Sequence, residues 1–201
     1  MYEVSERYLA FGQSSFIKEV VIPAGEKIEK LAKAYPCTDE IQVKVQSRPT
    51  AFLSGLEALI GVSVFLGTWA GTKFLDEIYD AKIGPAIKEY LGQYIEKSGK
   101  NKKYSLSIAA HKRGVDSSVL ICCVGSSIEE IEASEAHIPA VLRVAEGFID
   151  SDRRGAIYLF LVDSGRCNLE PSIYDSYEAA LDGLKRMYPA KLPTNVARPR
   201  G

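Results

Sequence analysis

Hydrophobic and polar positions alternate along several short segments of the chain, and this two-residue period predicts strands. Residues 40–46 place Ile41, Val43 and Val45 on one face and polar residues on the other. Residues 118–124 are apolar on both faces, which is typical of a central strand in a sheet. The predicted strands cover residues 16–22, 40–46, 104–111, 118–124, 156–162 and an edge strand that reaches residue 174 and is interrupted by Pro171.

Apolar residues recur at helical spacing in three other segments, which predicts amphipathic helices, and residues 26–34 have short helical character. The predicted helices cover residues 26–34, 85–97, 127–149 and 177–188. Ser127 and Glu130 fit a capping box at the start of the third helix, because the serine oxygen can accept an early backbone N–H. Pro139 lies inside the same helix, so we expect a kink or a restart there.

The most unusual segment is residues 49–72, which carry a single charge, Glu57. Glycines recur through this segment, and we interpret residues 52–82 as a long apolar helix. A helix that is apolar all round must be covered, so three roles stay open: a buried core helix, an interface with a subunit or partner, or a membrane segment. The uncharged run is 15 residues long, shorter than the roughly 20 needed to cross a bilayer, which favours the core role.

The apolar helix also supplies a candidate binding surface. Gly67 and Gly71 form a G-x-x-x-G pair, a spacing that lets two helix backbones approach closely. Together with Trp69 they define a predicted helix interface.

These elements together predict an α+β fold. We expect an antiparallel or mixed sheet of about five to six strands, packed by the long glycine-rich apolar helix and by two to three amphipathic helices. Residues 1–190 are expected to form a single domain, followed by an irregular tail over residues 191–201.

Charge and composition add little to the predicted fold, but they narrow the classes of partner that the protein can bind. The chain has 201 residues with 25 Lys+Arg and 26 Asp+Glu, for a net charge of −1. Nucleic-acid binding usually requires a basic excess, so this balance disfavours a nucleic-acid partner. A net charge near zero also does little to oppose self-association.

The four cysteines and two histidines have neither C-x-x-C nor zinc-finger spacing, so we expect no metal site and no cofactor. Cys122 and Cys123 lie in an apolar strand, where buried thiols of a reducing cytoplasm are the expected state. The N-terminus shows no basic region followed by an apolar core, so a secretory signal is not predicted. We expect a cytoplasmic protein.

The sequence contains no phosphate-binding G-K-[ST] loop and no G-x-S-x-G elbow. Two weak catalytic candidates remain: His111, at the end of a strand beside two cations, and Asp163, directly after a buried strand. Lys112 and Arg113 in the hairpin turn are candidate anion contacts.

The order of short strands, a glycine-studded apolar helix and a charged hairpin over residues 40–110 resembles small bacterial accessory domains found beside toxin or defence effectors. The missing catalytic signature favours a non-enzymatic interaction protein: an adaptor, immunity or assembly factor that binds a protein partner or forms a homo-oligomer. The alternatives are a small hydrolase or transferase with a site near His111 or Asp163, and a membrane-associated protein that uses the apolar helix.

Overall fold

The computed structural model describes residues 9–11, 14–34, 59–69, 84–98, 102–112, 115–151 and 156–188. Its strands are β1 (Leu9–Phe11), β2 (Leu59–Trp69), β3 (Lys103–Lys112), β4 (Ser118–Gly125), β5 (Ile157–Asp163), β6 (Arg166–Cys167) and β7 (Ser172–Tyr174). Its helices are α1 (Ser14–Phe16), a π-helical turn (Ile17–Val21), α2 (Ile22–Ala34), α3 (Gly84–Ser98), α4 (Ile128–Glu135), α5 (Ile138–Ser151) and α6 (Tyr177–Met187).

All described strands belong to one mixed sheet, which confirms the predicted α+β class. The strand order is β1-β2-β3-β4-β5-β6, and β7 also pairs with β5. The pairs β2–β3 and β4–β5 are parallel, whereas the other pairs are antiparallel. Parallel neighbours need a crossover connection, and α3 and the α4–α5 pair lie in sequence between the strands that need one.

The predicted apolar helix over residues 52–82 is wrong at its centre, because Leu59–Trp69 form strand β2. This strand lies between β1 and β3, so its backbone has pairing partners on both sides. An apolar run suits both a buried helix and a central strand, and here β-branched and aromatic residues favour the strand. The other residues of the predicted helix, 52–58 and 70–82, lie outside the described residues.

The predicted helix interface is therefore corrected as well. Gly67 lies in β2, at an irregularity where the pairing with β3 shifts between Phe65 and Thr68. Trp69 ends the same strand and pairs with Lys112. Residues i and i+4 are stacked one above the other only in a helix, so the G-x-x-x-G spacing cannot bring two helices together here. Gly71 lies outside the described residues.

The strand predicted at residues 16–22 is also wrong, since the chain there is helical from Ser14 to Ala34. Phe16, Val20 and Ala24 are buried, and their spacing of four residues follows one helix face. Pro23 follows the π-helical turn, and an irregular turn is expected there because proline removes an N–H donor from a continuous helix. The strand predicted at residues 40–46 lies outside the described residues.

The later part of the chain follows the sequence prediction closely. The hairpin β3–β4 forms with Ile108 opposite Ile121. The helix predicted at 127–149 restarts, as expected, with Pro139 in the first turn of α5. Ser127 caps α4 by accepting the N–H of Glu130. The cap of α6 is Ser176.

Helices cover the two faces of the sheet unequally. One face holds the larger buried cluster, to which α2, α3, α4 and α5 contribute, with Tyr104 and Tyr158 among its largest fully buried side chains. The opposite face holds a smaller cluster, in which Ala180, Leu181 and Leu184 of α6 pack on β3, β4 and β5. Helix α6 therefore packs on β5, and both lie next to the last strands of the sheet.

Candidate functional site

A cluster of polar side chains lies at one end of the sheet, where β3 begins and β5 ends. Asp163 is the last residue of β5 and pairs in register with Val124 of β4. Tyr104 of β3 pairs with Gly125, so Lys103 lies at the same end. We call Lys103, Glu130, Asp163, Ser164 and Tyr188 the polar cluster.

The lysine of the polar cluster contacts three oxygen atoms. Lys103 Nζ lies 2.9 Å from Asp163 Oδ1 and 2.9 Å from Ser164 Oγ. It lies 3.7 Å from Glu130 Oε2. An ammonium surrounded by these acceptors donates its protons to them, so it is not placed to remove a proton from the serine hydroxyl.

Ser164 occupies the hairpin turn between β5 and β6 in a left-handed conformation. Its φ is 50°, and that of Gly165 is 76°. Two successive residues with positive φ match the twist of a tight hairpin, and glycine adopts this conformation without steric cost. Ser164 Oγ lies 2.9 Å from both Glu130 Oε2 and Asp163 Oδ1. These contacts hold a serine where a side chain is disfavoured.

The two carboxylates of the polar cluster are ionised more readily than usual. Partial burial raises the pKa of Asp163, but hydrogen bonds from Lys103, Tyr188 and Ser164 outweigh it, and the pKa lies below its ordinary value. The backbone N–H of Ser126 and the hydroxyl of Ser164 lower the pKa of Glu130. Burial and the nearby Asp163 raise the pKa of Tyr188, whose hydroxyl donates to Asp163 Oδ2 at 2.7 Å.

The polar cluster therefore links four parts of the chain: the start of β3, the first turn of α4, the β5–β6 turn and the end of α6. Each of its charged groups has an opposite charge or a hydrogen bond within the cluster. Such an arrangement stabilises the fold locally, and the partners of a carboxylate so engaged must be displaced before it can act on a ligand.

The two predicted catalytic candidates do not meet. His111 pairs in register with Ser118, the first residue of β4, whereas Asp163 is opposite Val124 near the other end of that strand. Six residues along a strand span roughly 20 Å. A joint role of His111 and Asp163 in one site is therefore incompatible with this sheet.

His111 has a different neighbour instead. Its Nδ1 lies 3.0 Å from Ser118 Oγ, and the Tyr177 hydroxyl is also hydrogen bonded to the Ser118 side chain. Burial raises the pKa of Tyr177 to about 12, so its hydroxyl stays protonated at neutral pH. Sequence reasoning missed Ser118 and Tyr177 as partners because they come from different elements, β4 and α6.

The predicted anion contacts remain predictions. Lys112 ends β3, and its backbone pairs with Trp69. Arg113 lies outside the described residues.

The described cysteines are thiols in buried or half-buried positions. Burial raises the pKa of Cys122 to about 12, although Ser107 donates a hydrogen bond to its sulfur at 3.2 Å. Burial also raises the pKa of Cys123 well above its ordinary value. Both thiols are therefore protonated and unreactive at neutral pH. Among the described residues, no group of three His, Cys, Asp or Glu side chains is arranged to hold a metal ion.

A second candidate site is apolar and lies at the outer side of β5. Four large hydrophobic side chains are exposed within the described ranges, and Leu169 (45%), Ile173 (49%) and Met187 (45%) all belong to the stretch from β6 to α6. The fourth, Ile22 (38%), lies at the start of α2. We call the border of the sheet that carries Leu169 and Ile173 the edge face. Met187 belongs to α6, which packs on the opposite face from Tyr158, the residue in register with Ile173.

The edge face follows from the local folding of the chain after β5. β6 pairs with the last residues of β5, and β7 pairs with its first residues. Pro171 separates the two short strands, as expected of an edge, since proline cannot donate a ladder hydrogen bond. Sequence reasoning predicted this edge but not its exposed apolar side chains, because single apolar residues among polar neighbours carry no periodic signal.

Comparison with protein-family models, with curated proteins and with solved structures found no match. The resemblance to small bacterial accessory domains depended on an apolar helix that is a strand at residues 59–69, so that part of the likeness does not hold.

Within the described ranges, no helix has the combination of length and apolar character that crossing a bilayer requires.

Proposed function

We propose that this protein is an interaction module that binds a protein partner through the edge face. The observation that carries the proposal is the position of the exposed apolar side chains. Two of the four in the described residues, Leu169 and Ile173, lie four residues apart in the segment that borders β5. Exposed apolar side chains grouped in this way are typical of binding surfaces, whereas single ones are common everywhere.

The position of the edge face at the border of the sheet supports the proposal. β6 and β7 form the outer border of the described sheet beside β5. Edge strands offer backbone groups and alternate side chains to an incoming chain. The break at Pro171 limits continuous strand pairing, so side chains such as Leu169 and Ile173 would supply most of the contact.

Packing of β7 against the core also keeps the edge face ordered. Tyr174 of β7 packs against the smaller core cluster together with Tyr177. A surface that is already ordered before binding loses less conformational entropy when a partner docks.

A second candidate function is a small hydrolase or transferase near His111, which one contact favours. The His111–Ser118 distance of 3.0 Å is typical of an imidazole that activates a hydroxyl nucleophile. Ser118, however, is only 5% exposed, and its position limits access for a substrate. If wild type hydrolyses a small activated ester and neither Ser118→Ala nor His111→Ala does so, this function is supported over the interaction module.

The proposal includes the cytoplasm as the compartment. Cys122, Cys123 and Cys167 are free thiols. A reducing compartment maintains thiols in this state.

The experiment that tests the interaction module compares two lysine substitutions. The tagged wild type, Ile173→Lys and Ile22→Lys are used to capture proteins from the source cell extract, and the bound proteins are quantified by mass spectrometry. Both positions are exposed and apolar, so both variants should fold, as judged by their melting temperatures. We expect Ile173→Lys to lose the proteins that wild type and Ile22→Lys retain. Equal retention by all three would overturn the proposal.

A further inference from the structure

We draw no further inference here: the strongest candidate, the edge face around Leu169 and Ile173, is the surface already proposed to bind a partner, and nothing in the structure shows which molecule covers it.

Discussion

Two regions at the border of β5 are built in opposite ways. In the polar cluster, the charged side chains interact within the chain, and Lys103 forms ion pairs with Glu130 and Asp163. In the edge face, Leu169 and Ile173 stay about half exposed beside the same strand. The side chains of the polar cluster interact with one another and stabilise the fold, whereas the edge face keeps apolar surface exposed, which we propose is covered by a partner.

Changes in the polar cluster should reduce stability and leave binding intact, and changes in the edge face should do the reverse.

The largest effect is expected at Gly125, where the backbone of β4 meets the start of α4. A Cβ at this position would lie 2.7 Å from Glu130 Cβ and 2.9 Å from the Ile131 backbone nitrogen. Since these neighbours include backbone, Gly125→Ala must displace α4 and should lower the free energy of unfolding by about 3 kcal/mol. Urea denaturation measures this change. Gly147→Ala, with no atom within 4 Å of the added Cβ, is the matched control and should not be destabilised in this way.

A smaller loss of stability is expected from Asp163→Ala. This change removes the acceptor of Tyr188 and one of the two carboxylates that contact Lys103. Leaving partly buried donors without their acceptor should lower the free energy of unfolding by about 2 kcal/mol. Asp163→Asn keeps an acceptor oxygen and should lose less. If thermal unfolding shows both variants to be as stable as wild type, the polar cluster has no stabilising role.

The stabilisation by the polar cluster should also depend on pH. The pKa values of Asp163 and Glu130 lie below their ordinary values in the folded chain, so the unfolded chain binds more protons in acid. Their contribution is fully present above the ordinary carboxyl range and is lost as pH falls through the folded pKa values, below about pH 4. Urea denaturation from pH 7 to pH 3 should show a flatter profile for Asp163→Asn with Glu130→Gln than for wild type.

The smallest change in stability is expected at the edge face. Ile173→Lys places a charge on a side chain that is 49% exposed, so the free energy of unfolding should change by less than about 0.5 kcal/mol. Calorimetry measures this difference against Ile22→Lys. A loss of more than about 2 kcal/mol would show that Ile173 belongs to the core, and the distinction between the two regions would fail.

Some of this arrangement could be predicted from sequence. The cap of α4 by Ser127 and the restart at Pro139 are local, so a single segment contains all the information that they require. Asp163 is a candidate from sequence alone because it directly follows a buried strand. Its partners Lys103 and Tyr188 could not be, since they are distant in sequence and only the register of the sheet brings them to it.

The errors have an equally physical origin. Leu59–Trp69 is apolar at nearly every position, so its pattern contains neither a two-residue nor a helical period to separate strand from helix. Around Val20 the β-branched residues favoured a strand, but the four-residue spacing of Phe16, Val20 and Ala24 matched the face of a helix that packs on the core. Tertiary packing decided both segments.

We propose that the polar cluster stabilises this protein and that the edge face binds its partner. These two roles are separated by measuring the amount of partner captured by Asp163→Asn and by Ile173→Lys, side by side, at a temperature where both are folded. We expect the less stable Asp163→Asn to retain wild-type binding and the fully stable Ile173→Lys to lose it. Retained binding by Ile173→Lys together with loss by Asp163→Asn would contradict this proposal.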